Sequence, residues 1–333
     1  MPNKCASGNR AAVECDDRIV RWHALAKSPA VIVNCLGMCL FHKILRSSIR
    51  VRHVLLLLFC FLACRSAVLA DTAAETEHGG WLHLEPGLAF GEFPVDDGQG
   101  HVAAVRLDPA FFDFVLCSRS EDGGGLRSLH DWGEQYDLTA AVNASMYLPD
   151  AYTSTGYMRQ GKHINNGRIA RRFGGFFVAG PDSPDMPPAA IIEQDNPGWR
   201  RIIDRYNMVI QNYRMIAADR HILWAPGGPL YSISAVAEDD AGRILFLHRR
   251  EPVEAYVFAQ QLLHLPLNVR TVMYVEGGGQ AGLLLRSAAL TREMRGKSAA
   301  DFLITGNSAV TLPNVLGARK KQTALQSEGI SAK

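Results

Sequence analysis

The chain has 333 residues, 47% of them apolar and 20% charged, with a net charge of +2. That length and apolar share can bury a sizeable core, which excludes a disordered or low-complexity polypeptide. The slight excess of base is local: residues 1–70 hold ten Lys/Arg and three Asp/Glu, residues 71–333 hold 25 and 30, so most of the chain is acidic and its composition implies no nucleic-acid partner.

The leader has the layout of an export signal. Arg46, Arg50, Arg52 and His53 precede an apolar run from Val54 to Ala63, and Val68 and Ala70 suit a signal-peptidase cut that leaves Asp71 as the new N-terminus. Translation from Met38 would keep this signal intact. The apolar run is short for a transmembrane helix, so the export signal is the expected link to a membrane, and the location implied is periplasmic or extracellular. A lipoprotein acylated at Cys64 is the alternative, and Phe61 ahead of it disfavours that reading. Six of the seven Cys lie at or before Cys64, so the cut chain keeps Cys117 alone and can form no intrachain disulfide. Cys117 alternates with apolar residues from Phe111 onward and reads as a buried strand residue, with a catalytic thiol as the alternative.

After residue 70 the organisation is simple. Residues 71–84 read as a loose N-terminal segment, 85–316 as one domain, and 317–333, with Arg319, Lys320 and Lys321, as a disordered tail. Short apolar runs bounded by Gly, Pro, Asp or Asn predict strands at His101–Leu107, Phe111–Cys117, Leu138–Asn143, Gly174–Ala179, Met208–Asn212, Ser232–Ala237, Arg243–His248, Thr271–Val275 and Ala281–Leu285. Asp239, Asp240, Ala241 and Gly242 form a hairpin turn between two of them. Helices are predicted over Leu126–Tyr136, Pro197–Tyr206 and Pro252–Leu263; the last places Val253, Tyr256, Val257, Gln260 and Leu263 on one stripe and precedes a strand, as in an α/β corner. The fold class expected is α+β: a single domain of mixed, mostly antiparallel β-sheet with a few packed helices.

Four segments combine strand ends with polar side chains. Residues Ala141–Val142–Asn143 end a strand in an amide that either faces a pocket or turns the chain through an Asx hydrogen bond. Residues 153–166 supply Ser154, Thr155, Lys162, His163 and Asn165, donors suited to an anionic or polyhydroxylated ligand, around a hairpin turn at Gln160–Gly161–Lys162; His163 is either a general acid or a surface residue. In Gln211–Asn212–Tyr213–Arg214 a guanidinium lies among apolar residues and needs a partner: either a bound phosphate or carboxylate, or one of the chain's own acids. Last, a strand ends in Glu276 and runs into Gly277, Gly278 and Gly279, whose bare backbone can approach an anion or a sugar; an ordinary tight turn with a solvated Glu is the alternative. No metal-ligand spacing, phosphate-binding loop or nucleophile elbow accompanies these segments, so neither metal nor cofactor is expected.

Taken in order, the segments resemble the phosphodiester glycosidase family. Its ALNGGFF strand end stands here as Ala140 to Tyr147, its QSGP-type segment as Gln211 to Arg214, its RTAIG segment as Tyr231 to Ala235, and its closing LDGGGSS segment as Val275 to Ala281. The likeness covers most of residues 85–287. It implies an exported hydrolase that cleaves a sugar-1-phosphodiester at the anomeric C–O bond, acting on a carbohydrate or sugar-phosphate substrate; a non-catalytic envelope protein binding glycan or anionic polymer on the same fold is the alternative. The roles implied are Glu276 as the catalytic carboxylate, Arg214 and Lys162 on phosphate, Asn143 and Gln211 on sugar hydroxyls, and Asn212, Ser232, Gly277, Gly278 and Gly279 lining the site. Asp150 and Asp219 are the candidates for a second acid. The chain departs from the pattern in three places: Glu276 replaces the family Asp, Tyr231 or Ser232 stands where the Arg of RTAIG is expected, and Arg214 stands where Pro is usual.

Overall fold

Apolar runs too short for a buried helix become strands, and antiparallel pairing joins them into sheets. The computed structural model describes residues 79–297, apart from 97 and 99, and 310–322. The leader, the Met38 start, the Cys64 alternative and the tail beyond 322 lie outside them. All described residues belong to one compact unit, residues 74–333. In chain order the elements are β1 (Leu82–Glu85), β2 (Leu88–Pro94), β3 (His101–Leu107), β4 (Phe112–Ser118), α1 (Arg119–Asp122), α2 (Leu129–Gln135), β5 (Ala140–Asn143), β6 (Met158–Gln160), β7 (His163–Asn166), β8 (Gly175–Pro181) and β9 (Ala189–Glu193). They continue with α3 (Trp199–Ile203), β10 (Tyr206–Ile216), β11 (Leu230–Asp239), β12 (Ile244–Glu254), α4 (Ala255–His264), β13 (Val269–Gly277), a 3₁₀ turn (Gly278–Gln280), β14 (Gly282–Arg286), β15 (Thr291–Arg295) and β16 (Asn314–Lys320).

These strands form two sheets. The larger has eleven strands ordered β1-β2-β3-β12-β11-β13-β10-β6-β7, with β8 and β9 added at β10; the smaller is β15-β14-β5-β16-β4. Each paired strand in both is antiparallel to its neighbour. The sheets face each other across one apolar cluster that takes Val105, Phe246, Met273 and Val275 from the large sheet and Phe114, Val142, Leu283 and Leu316 from the small one. On the outer face of the large sheet, α4 buries Phe258, Ala259 and Leu262 against Ala235, Leu245 and Val272. Helix α2 covers the small sheet with Leu129 and Trp132. A capping box starts α2: the Ser128 hydroxyl accepts from the Asp131 N–H while the Asp131 carboxylate accepts from the Ser128 N–H.

The architecture is mostly β, which corrects the α+β expectation while bearing out the antiparallel sheet. The helices are shorter than the pattern suggested, for local reasons. Pro252 and Val253 stay in β12, where Val253 pairs with Tyr231, so α4 starts at Ala255. Gly198 adopts a left-handed φ of 81° as N-cap, so α3 starts only at Trp199. Helix α4 does carry the chain from β12 to β13, but across β11, which lies between the two. Two supposedly loose segments are also strands: Leu82–Glu85 is β1, and Gly317–Lys320 ends β16, paired with both β4 and β5. Inter-sheet burial of Leu316 and Ala318 outweighs the charges that follow them.

Cys117 sits in β4, 2% exposed, and burial pushes its thiol up to about 12. A thiol held so far from ionisation is a packing residue. Maleimide should leave Cys117 unlabelled in the folded chain and modify it in denaturant, as peptide mapping by mass spectrometry would show; rapid labelling of the native protein would contradict this placement.

Candidate functional site

The site grows from a break in the large sheet. One edge of β10 is shared end to end: β8 pairs Gly175–Pro181 with Asn212–Tyr206, and β13 pairs Tyr274–Val272 with Tyr213–Ile216. Strand β13 therefore leaves β10 after Tyr274, and its last residues, Glu276 and Gly277, pair only with Ser234 and Ile233 of β11. The register also slips here, since Ala235 faces Tyr274 while Ser234 faces Glu276, which leaves Val275 as the extra residue of a bulge. A bulge re-aims the side chain beside it and breaks the alternation that would set Glu276 on the Tyr274 face. The chain after β5 crosses from one face of the sheet to the other at this break: Ala144 packs in the inter-sheet core and Met146 on the outer cluster.

Glu276 is 7% exposed, and no cation pairs with it among the described residues. Burial raises its pKa from the ordinary 4.5 to about 7, opposed only by the Gly277 N–H, which donates to Oε1 at 2.9 Å. Its charge in turn helps hold the phenols of Tyr147 and Tyr274 above their usual value, after burial as the main cause; Tyr147 reaches about 12. The following glycines are required by space as well as by turn geometry. A Cβ on Gly277 would stand 2.1 Å from the Tyr274 hydroxyl, and Gly278 takes a φ of 69°.

The structure gives several of the expected ligand residues other duties. Asn143 Nδ2 donates to Gln280 O at 2.9 Å and its Oδ1 accepts from Gly282 N at 2.9 Å, so this amide braces the glycine turn. Gln211, fully buried, donates to Ala170 O and Phe173 O and accepts from Tyr157 N and Ala170 N, which ties down the 167–173 segment. Asn212 Nδ2 holds Ala144 O at 2.8 Å, while its buried Oδ1 has no partner. Ser232 lies beside the glycine turn with its hydroxyl occupied, donating to Arg250 O and accepting from Lys297 N. Arg214 pairs with Asp195 at 2.6 Å and Glu193 at 3.0 Å, the chain's own acids, so its charge is already neutralised. Lys162 is exposed in the β6–β7 turn, beside Asn207 at the start of β10 and away from the break at Asn212. His163 Nε2 meets Ser120 Oγ at 2.9 Å, in that same distant region. Asp150 and Asp219 serve as acceptors of local turns, Asp150 from the Tyr152 and Thr153 N–H groups and Asp219 from the His221 N–H.

An aromatic group that the sequence did not assign lies beside the break in the sheet. Tyr213 and Tyr274 are cross-strand partners, and Trp224 lies against both, with ring centroids 5.7 and 5.3 Å away. Trp224 Nε1 donates to Arg214 O at 3.2 Å, which fixes the indole. Beside it opens a cleft of about 560 Å³ lined by Arg172, Gly174, Tyr213, Arg214, Leu223 and Trp224. The available signal was placement: an aromatic residue directly follows Gln211 and Asn212, and another stands two residues before Glu276. Among the described residues no group of three His, Cys, Asp or Glu could hold a metal ion, and no helix is long and apolar enough to cross a membrane.

No protein-family model matches the sequence, and no curated protein does. Among solved structures the chain is similar to the catalytic domain of zebrafish N-acetylglucosamine-1-phosphodiester alpha-N-acetylglucosaminidase in a form auto-inhibited by its pro-peptide. That likeness has a TM-score of 0.50 at 11% identity, over 76% of this chain and 91% of the other. A Synechocystis protein gives a TM-score of 0.49 at 12% identity, over 74% of this chain and 65% of that one. At 11% identity the first likeness shows a shared fold and nothing about activity.

Proposed function

We propose that the protein is an exported hydrolase of the phosphodiester glycosidase type, which uses Glu276 to cleave a sugar-1-phosphodiester in an envelope or extracellular glycan. The observation that carries this reading is the buried, cation-free Glu276 at the sheet break, with its pKa raised to about 7. A carboxyl tuned there exists in both protonation states near neutrality, which suits proton transfer in a transition state. The fold shared with a domain that acts on a sugar phosphodiester is consistent with it.

In this mechanism a phosphate monoester leaves C1 of the sugar and water takes its place. Phosphate is a good leaving group and needs little protonation. The chief demand is then a base for the attacking water and a negative neighbour for the oxocarbenium-like centre. Ionised Glu276 meets both needs. The Gly277 N–H fixes one carboxyl oxygen and leaves the other for water, and Asn143 holds the glycine turn that positions this donor.

The test is to assay the full chain against a panel of sugar-1-phosphodiesters, N-acetylglucosamine esters first. Wild type should turn over at least one substrate, with a rate that rises with pH through about 7 as Glu276 ionises. Absence of turnover across the panel would defeat the proposal, and ligand binding that persists without turnover would identify a glycan-binding protein instead.

A further inference from the structure

Charge is spread unevenly over this chain. Residues 71–333 are acidic as a whole, yet residues 151–181 hold Arg159, Lys162, Arg168, Arg171 and Arg172 and no Asp or Glu. Arg159 is spent on the backbone carbonyls of Ile203 and Tyr206. Arg168, Arg171 and Arg172 are exposed, as are Arg200 and Arg201 on α3, and none of these five makes an ion pair among the described residues. Of the acids on the flanking elements, Glu193 and Asp195 are taken by Arg214 and Asp182 by Arg205. Asp185 and Asp204 remain, too few to balance five guanidinium groups.

The five arginines share one face. The 167–173 segment and α3 both cover the apolar cluster of Phe176, Val178 and Val209 on the outer side of the large sheet, the segment through Ile169 and the helix through Trp199 and Ile202. Both are held in place. From beneath, the buried Gln211 amide fixes the segment at Ala170 and Phe173. Trp199 stacks on Phe176 with ring centroids 4.7 Å apart, and the Arg200 guanidinium lies 4.2 Å over the centroid of the Trp199 ring. A segment anchored in this way presents its charges with little ordering left to do on binding.

The chemistry that fits is a layer of phosphodiesters, since a guanidinium binds phosphate oxygens through two parallel N–H groups. Arg172 borders the cleft beside Trp224, whereas the other four stand on open surface. Charges spread over a face match a plane of headgroups better than a single strand, which would need a groove along them. We infer that the face formed by the 167–173 segment and α3 docks on the headgroups of an anionic lipid bilayer. This contact is separate from the export signal and does not depend on the reading of Glu276.

The experiment is flotation of the full chain with vesicles of phosphatidylcholine alone and of phosphatidylcholine with about 30% phosphatidylglycerol. Two double variants are compared with wild type: Arg200→Gln with Arg201→Gln on the proposed face, and Arg292→Gln with Arg319→Gln on the small sheet, where both side chains are exposed. The two remove equal charge, and any binding by the leader is common to all three proteins. Wild type should prefer the anionic vesicles and leave them as salt is raised from about 50 to about 500 mM. The first variant should bind them about 25-fold more weakly, about fivefold for each arginine, and the second should stay within threefold of wild type. Arg168→Gln, Arg171→Gln and Arg172→Gln together should weaken binding about 100-fold. No preference for anionic vesicles, or equal losses in the two double variants, would overturn the assignment. Capture by soluble dextran sulfate without binding to anionic vesicles would overturn it too, and would give the face to a polyanion. Turnover is not part of the readout, so the result stands apart from the fate of the hydrolase reading.

Discussion

Glu276→Gln should cut turnover by orders of magnitude and at the same time make the protein harder to unfold at pH 8. Burial holds the carboxyl near a pKa of 7, against 4.5 for an ordinary glutamate. Below pH 4.5 the group is protonated whether the chain is folded or not, and it costs nothing. Between pH 4.5 and 7 the unfolded chain ionises it while the folded chain keeps the proton, so the unfolded state is favoured increasingly as pH rises. Above pH 7 the penalty is complete, about 3 kcal/mol at roughly 1.4 kcal/mol per pH unit. Glutamine is nearly isosteric, carries no charge, and can still accept the Gly277 N–H. Its stability gain should therefore be about 3 kcal/mol at pH 8 and close to zero at pH 4, while kcat falls by about 10²- to 10⁴-fold, the usual worth of a general base. Urea unfolding of both proteins at the two pH values measures the first effect. A gain equal at both would show that packing, and not ionisation, is responsible. At this position a neutral residue would suit the fold better than an ionised one.

Most strands were legible in the sequence because each carries its own period and its own bounding turn. His101–Leu107 was read to the residue, and the turns at Gly161 and Gly242 fall where the glycines adopt positive φ. Edge and closing strands were not legible. Thr291–Arg295 has no apolar alternation, and Asn314–Lys320 ends in charges, so each becomes a strand only because a partner in the small sheet waits for it. The site shows the same divide. Glu276 and its glycines announce themselves by type and position. What Asn143, Gln211 and Arg214 do depends on which chain passes nearby, and the sequence is silent on that. Each proved to be spoken for: Asn143 by the glycine turn, Gln211 by the 167–173 backbone, Arg214 by Glu193 and Asp195. Polar residues near a site are as often its scaffold as its contacts, because a buried amide must satisfy all its donors and acceptors somewhere.

Gln211 makes that distinction measurable. The side chain is fully buried and spends all four of its hydrogen bonds on backbone: its amide N–H groups reach Ala170 O at 2.8 Å and Phe173 O at 2.9 Å, and its carbonyl takes Ala170 N at 2.9 Å and Tyr157 N at 3.2 Å. Gln211→Leu keeps the volume and removes every one of these bonds, stranding the Phe173 carbonyl and the Tyr157 and Ala170 N–H groups, while Ala170 O keeps its bond from Phe173 N. At about 1–3 kcal/mol for each stranded group, and with partial relaxation of the loop, the loss of stability should be about 3–5 kcal/mol. The segment released runs from residue 167 to Phe173 and carries Arg168, Arg171 and Arg172. Trypsin should therefore cut the variant there under conditions in which wild type resists, and KM for a phosphorylated substrate should rise while the ionisation of Glu276 seen in the pH profile stays where it was. Had Gln211 instead oriented a sugar hydroxyl, the same substitution would raise KM with little loss of stability and no new tryptic site. Urea unfolding and digestion of one variant separate the two roles, since only a scaffold residue couples the loop to the strand beneath it.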